Sequence, residues 1–305
     1  VSASNIAANG NMECRILTDF ADLEKFSTEW SRLQTATGKG EIFQHFRWIE
    51  AWWQSLRKES RLFTPIVFRH GRVVGILPLV LAGRQLRFLA HSTSDYNHFL
   101  AEPAESNAAL EVCLNSLLER KSDWDEILLD NVPESSLLNK CIQSLPRYWQ
   151  RCFVRMDGGS CPTLLLGENK QETLKSLISK ESLKRPVRRL KRIGKLSFRH
   201  IEDPAEVSNH LGQFFQQHVR RSAIAGRRSS FLAEDYASFY RNLLDRLDPR
   251  VEIRFSVLTL DDRPIAYHFG TLFESKYLWY KPAFDVDLWE LSPGQVLLWY
   301  LFEYL

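Results

Sequence analysis

Nowhere does this chain carry an apolar run long enough to cross a bilayer. The longest, over 76–82, is far short of the ~20 residues that a membrane helix needs. The first ten residues lack a basic start followed by an apolar core, so they do not read as a secretion signal. Cysteine is sparse and odd in number, at Cys14, Cys113, Cys141, Cys152 and Cys161, and no two form a C-x-x-C pair. That argues against a disulfide framework and a zinc site, so no metal is expected, and it points to reduced thiols in a cytoplasm. An excess of one charge is also missing: the net charge is only +3, which gives no global electrostatic case for nucleic acid. No serine–histidine–acid or cysteine–histidine constellation stands out, which argues against a covalent mechanism. What is present suffices for two domains with proper cores: 305 residues, 44% hydrophobic and 25% charged.

Two stretches repeat one pattern. The first has a strand over 63–68, a turn at His70 and Gly71, a long strand over 72–81, a third strand over 85–90 and a polar loop over 92–97. The second has a strand over 252–260, a turn at Asp261 and Asp262, a strand over 263–271, a third over 276–280 and a loop over 282–287. Such repetition predicts two copies of one domain. Before the block, copy one shows a strand over 14–17 and helices over 20–33 and 46–56, with apolar residues recurring every three to four positions. After it come a helix over 108–118, a strand over 127–129, a helix over 135–145 and a strand over 151–156.

Copy two begins with a strand over 195–201. A helix follows, with Asp203 suited to its N-cap and Pro204 to its first position. Another helix is expected over 233–247, and after the three strands Ser292, Pro293 and Gly294 open a last one. The sequence stops within that helix, at Leu305, so a C-terminally truncated second domain is expected. The fold class is mixed α+β, with mostly antiparallel sheets flanked by helices. The expected domains are 13–160 and 195–305, joined over 161–194 by a linking strand and a basic helix.

The element order β-α-α-β-β-β-α-β-α-β resembles the GNAT superfamily of acyl-CoA-dependent N-acyltransferases. More narrowly, the chain is similar to CelD-type acetyltransferases, found near bacterial polysaccharide and cellulose synthesis functions. The segments that carry the likeness are 46–53 with Trp48, Trp52 and Trp53, the Leu77, Pro78 and Leu79 step, and the strand over 86–89 with Asp95 and Tyr96. Further along come Cys161 and Pro162, the basic run over 188–194, Pro264 to Ala266, Tyr280 with Ala283 and Asp285, and Leu291 to Gly294. Their order and spacing match over nearly the whole chain from Cys14.

The resemblance implies tandem GNAT domains and acetyl-CoA, or another acyl-CoA, as co-substrate in the second. Its pantetheine arm would pair with the third strand, and its pyrophosphate would meet the following helix N-terminus. Trp279, Ser292, Gly294 and Gln295 are the implied cofactor-binding residues. Ser-Pro-Gly is also an ordinary helix start, and the chain has one glycine where common GNAT loops have more. A backbone N–H near Trp279 or Tyr280 would polarise the thioester carbonyl, and Tyr280 would protonate the leaving thiolate. Asp285 would accept the amine proton or bind the nucleophile, with His268 as a further candidate base. A core tyrosine, a loop-capping aspartate and a structural strand histidine are the alternatives. Asp95 and Tyr96, together with Arg227 and Arg228, are the implied substrate contacts. Asp95 and Tyr96 are expected to face an acceptor cleft between the domains, although both suit a plain turn.

Copy one is not expected to bind the cofactor, because its helix near 104–107 has no glycine-rich start and Glu102 and Glu105 would repel a pyrophosphate. In the basic run, Leu183, Val187 and Leu190 recur at helical spacing among Lys184, Arg185, Arg188, Arg189, Lys191 and Arg192. Ser182 is the expected N-cap, with Pro186 in the first turn. A solvated face, a phosphate-binding face and an RNA surface are all compatible with it. The expected partner is a small-molecule amine or amino-sugar acceptor, without membrane insertion. The alternatives are a FemABX-type aminoacyl-tRNA-dependent transferase, the one case that involves tRNA, and a binding module without chemistry.

Overall fold

Turn chemistry sets the first hairpin of the three-strand block in both halves. The computed structural model describes residues 12–37, 41–249 and 252–305, and divides the chain into two compact units, 1–159 and 160–305. The expectations for residues 1–10 lie outside the described residues, as does Val251. In the first unit His70 and Gly71 both take positive φ, and the flanking Arg69 and Arg72 pair. In the second, Asp261 and Asp262 do the same between the paired Leu260 and Arg263. Two consecutive left-handed residues make the tight hairpin turn that matches strand twist.

The first unit starts with β1 (Met12–Leu17), α1 (Phe20–Glu24) capped by Asp19, α2 (Ser27–Ala36) and α3 (Phe46–Leu56) capped by His45. The single helix expected over 20–33 is two helices. The Phe26 N–H bonds to Leu23 O at 2.9 Å in a tighter turn, and the Phe26 ring meets Phe68 edge-on. Next come β2 (Arg61–Leu62), β3 (Thr64–Arg69), β4 (Arg72–Ile76), β5 (Leu79–Ala82), β6 (Gln85–Phe88) and β7 (Leu100–Ala101). The strand expected over 72–81 breaks between β4 and β5, because Pro78 has no N–H to give to a ladder. One sheet therefore runs β1-β3-β4-β7. After α4 (Ser106–Glu119), β8 (Glu126–Leu128) pairs parallel with β6 and completes a second, β2-β5-β6-β8. The remaining helices are α5 (Leu137–Ser144), capped by Ser136, and α6 (Arg147–Gln150).

The strand expected over 151–156 does not form. The Cys152 N–H bonds to Trp149 O and that of Phe153 to Gln150 O, prolonging the turn of α6, and Val154 and Met156 lie exposed. No strand follows Cys161 either. Instead α7 (Lys170–Ser179), which the sequence pattern did not reveal, leads into α8 (Glu181–Ile193). Lys180, not Ser182, occupies the N-cap of α8, so Pro186 falls in the helix interior, with its ring buried beside Val187 and Leu190.

The second unit continues with β9 (Leu196–Ile201), α9 (Pro204–Ile224), α10 (Glu234–Leu244), β10 (Ile253–Leu260), β11 (Arg263–Phe273), β12 (Lys276–Phe284) and α11 (Pro293–Tyr304). Its antiparallel sheet has the order β12-β11-β10-β9. Val187, Leu190, Val296, Leu297 and Leu301 from α8 and α11 cover one face through Leu258, Ile265 and Ala266. The other face is aromatic, with Phe214, Phe255, Tyr267 and Phe269 in mutual ring contact. No described helix is long and apolar enough to cross a membrane.

Candidate functional site

In the second unit the expected catalytic and cofactor residues lie on β11, along and just after β12, and at the start of α11, while Arg227 and Arg228 lie in the loop after α9. The β11–β12 ladder runs regularly from Phe273–Lys276 to Thr271–Leu278 and resumes at Phe269–Lys281. Trp279 and Tyr280 together therefore oppose Gly270, which is the geometry of a β-bulge. The His268 ring fills the space. It is fully buried and stacks on the Trp279 indole at 4.2 Å, 15° from parallel. A Cβ on Gly270 would overlap the His268 ring and approach Leu278 O to 2.8 Å, so the wedge requires glycine.

Hydrogen bonds fix the state of this histidine. The Tyr280 N–H donates to His268 Nε2 at 3.2 Å, which puts the ring proton on Nδ1, 3.4 Å from Tyr277 Oη. Burial, helped by His200, pushes the His268 pKa down to about 3. The imidazole is neutral and both nitrogens are engaged. Across the same sheet face, Ser256 Oγ lies 2.8 Å from His200 Nδ1, and burial and then Arg254 lower the His200 pKa to about 4. The row His200, Ser256 and His268 occupies paired positions on β9, β10 and β11. Only the strand register could have shown it.

Tyr280 packs on the opposite face, almost buried, near Tyr240 and beneath the Lys281 ammonium. Of the two backbone amides expected near a thioester carbonyl, that of Tyr280 is committed inward to His268. Asp285 does not lie in an open loop, because β12 runs on through Phe284 and Asp285 caps the short 3-10 helix that follows (Val286–Leu291). Its Oδ1 accepts from Asp287 N at 3.1 Å, its Oδ2 from Arg263 Nη2 at 2.5 Å, and Arg220 lies 3.8 Å away. The carboxylate is buried with its oxygens engaged.

The start of α11 is built differently. Ser292 takes φ 55° and ψ 51°, and its carbonyl accepts from Gln295 N at 3.0 Å and Val296 N at 3.2 Å. Pro293 has no N–H to satisfy, and Gly294, at the second helical position, has no intrahelical carbonyl to bond. A Cβ on Gly294 would come within 3.3 Å of the Phe284 ring, so glycine lets the end of β12 lie close against the helix start. Arg221 lies over that ring at 5.6 Å and donates to Pro282 O at 3.3 Å. Burial and then Arg227 lower its pKa. From α8, Arg189 donates to Glu290 O at 3.1 Å. A helix N-terminus with arginines around it and a glycine at its opening suits a phosphate-bearing group.

Arg220 and Arg221 belong to the last turns of α9. Arg220 forms a two-pronged pair with Asp287, at 2.7 and 3.1 Å. Arg227 and Arg228 do lie in the loop beyond it, exposed. Beside them His218 Nδ1 lies 2.9 Å from Ser229 Oγ, with its pKa lowered to about 4 by burial and then by Lys281, Arg221 and Arg227. Composition gave no sign of this pair.

In the first unit Asp95 is exposed, and Tyr96 is half-buried 6.2 Å from the Phe43 ring. Their loop is tied down on both sides. Trp48 Nε1 donates to Thr93 Oγ1, Trp52 Nε1 to Ser92 Oγ, and Asn131 Nδ2 to Ser94 O. At the start of α4, Glu105 pairs with Arg69 and Glu102 with Arg32 and Arg72. The two glutamates expected to repel a pyrophosphate are thus paired with arginines. Among the described residues no group of three or more His, Cys, Asp and Glu is placed to hold a metal ion.

Comparison with known proteins adds to this geometry. Residues 179–305 match the family model described as an acetyltransferase (GNAT) domain. No curated protein matches the chain by sequence. Among solved structures, the crystal structure of FemX superposes with a TM-score of 0.60 at 12% identity, over 96% of this chain and 85% of that one. A tandem GNAT protein from the clavulanic acid biosynthesis pathway gives a TM-score of 0.47 at 13% identity, over the same shares. The fold is a mixed α+β arrangement of mostly antiparallel sheets and flanking helices, similar to that of FemX over nearly the whole chain.

Proposed function

We propose that this chain is an acyl-CoA-dependent N-acyltransferase that seats its co-substrate on the second unit. The observation that carries the proposal is the sequence of parts within 179–305, the segment matching the GNAT acetyltransferase domain. Strand β12 lies at the edge of its sheet, carries a bulge and runs directly into the glycine-opened start of α11. Edge-strand backbone can pair with the amides of a pantetheine arm, and the α11 N-terminus can hold the pyrophosphate. Ser292, Gly294 and Gln295 form that seat, with Arg221 beside it and Trp279 at the bulge.

Within this reading His268 shapes the bulge and Asp285 holds the end of the strand, because the polar atoms of both are already bonded. Trp279 N–H is the remaining candidate of the two amides for polarising the carbonyl, and Tyr280 the candidate proton donor to the thiolate. Arg227 and Arg228 are exposed for an anionic acceptor. An amino sugar or sugar nucleotide in a cytoplasmic exopolysaccharide pathway is the proposed acceptor class, on the CelD-like motifs alone. Isothermal titration with acetyl-CoA tests the reading. Saturable binding that Gly294→Glu abolishes supports it; heat-silent titration at millimolar acetyl-CoA counts against it.

A second reading, aminoacyl-tRNA-dependent transfer, draws on the exposed basic residues of α8. Part of that face is committed within the unit: Arg188 pairs with Glu181, and Lys191 lies over Trp299 and Tyr300. Binding of tRNA at low salt that Arg185→Gln and Arg192→Gln weaken would favour it.

A further inference from the structure

We propose that the first unit carries a separate site for a small phosphorylated ligand, in the pocket between the ends of α3 and α4 and strand β2. The pocket has a volume of about 190 Å³, and Arg57, Arg61 and Arg120 line it together with Trp53, Phe63 and Asp123. At roughly 30 Å³ per water, that is room for about six waters, enough for a phosphate and a small organic body.

Two of the three guanidiniums lie over aromatic rings. Phe20 stacks on one face of Trp53 at 4.8 Å, and Arg57 lies over the ring at 4.9 Å. Arg120 lies over Phe63 at 5.6 Å, while its Nε and Nη2 donate to Asp123. Among the described residues neither Arg57 nor Arg61 has a carboxylate partner. Arg57, held over Trp53 without a carboxylate partner, keeps its fork of donors for a ligand and loses little side-chain freedom on binding.

Charge selects the ligand class. Three arginines against one aspartate leave an excess of two positive charges, which a phosphate monoester, at about −1.5 to −2 near pH 7, neutralises and a single carboxylate does not. Arg57 and Arg120 also follow helix C-termini, where a cation is favoured for its own sake. That role does not account for Arg61, on β2, facing the same space.

Isothermal titration of the protein with glycerol 3-phosphate, using glycerol and acetate as controls, tests the site. The expected result is saturable binding of the phosphate ester alone, weakening as NaCl is added. The Arg57→Gln/Arg61→Gln variant loses at least tenfold in affinity, and Arg61→Glu alone does the same. Arg84→Gln, which removes an exposed ion pair elsewhere in the unit, and Gly294→Glu, at the start of α11, leave binding unchanged. No saturation at tens of millimolar, equal affinity in the arginine variants at unchanged thermal midpoint, or loss of binding in Gly294→Glu would each overturn the proposal.

Discussion

Gly270 and His268 are two residues apart on β11, and the first exists in its present form because of the second. The imidazole leans over Gly270, where any Cβ would overlap it, and from there reaches the Tyr280 amide across the bulge. Gly270→Ala should therefore destabilise the second unit by about 2 kcal/mol or more, as overpacking of a closed core does. His268→Ala should cost about 1–3 kcal/mol through the orphaned Tyr280 N–H. Because the clash disappears with the ring, the double variant should be less unstable than the sum of the two. Urea unfolding of all four proteins measures this, and strict additivity would refute the wedge.

Stability should fall as the pH drops below neutrality. His268, His200 and His218 hold pKa values of about 3, 4 and 4, below the ordinary value near 6.5. As the pH falls through 6.5 the unfolded chain binds protons that the folded protein refuses, so stability present above that point drains away toward pH 4. Urea midpoints from pH 7.5 to 4.5 should decline, and His268→Gln should make the decline shallower. A flat profile would contradict the buried neutral histidines.

Asp285 separates a structural from a chemical role. If it is a cap and arginine anchor, Asp285→Ala should cost about 1–2 kcal/mol in stability. Under the proposed function, Asp285→Asn should then change kcat for acetyl transfer less than tenfold. A hundredfold fall in kcat with an unchanged denaturation midpoint would instead make it the proton acceptor.

Under the proposed function, Arg221 should contribute to acetyl-CoA affinity through charge. With its guanidinium stacked on Phe284 beside the α11 start, Arg221→Gln should raise the Kd for acetyl-CoA about three- to tenfold, within the range of a charge-assisted contact. The variant should also show a weaker dependence of Kd on NaCl. Unchanged affinity would remove Arg221 from the seat.

The sequence by itself determined what short-range chemistry controls. His70 with Gly71 and Asp261 with Asp262 fixed the hairpins, Asp203 with Pro204 and Ser292 with Pro293 fixed two helix starts, and the repeated three-strand pattern carried the fold class. Tertiary structure decided whatever depended on a partner far along the chain. Pro78 parted two sheets because β5 had β2 and β6 to join, and 151–156 stayed out of a strand because its first amides were taken by α6. Histidine 268 looked like a candidate base while it was only a residue type on a strand. Burial and the Tyr280 amide, brought together by the β11–β12 register, turned it into a neutral wedge. A side chain's chemistry is set by what satisfies its polar atoms, and in a sheet those partners come from another strand.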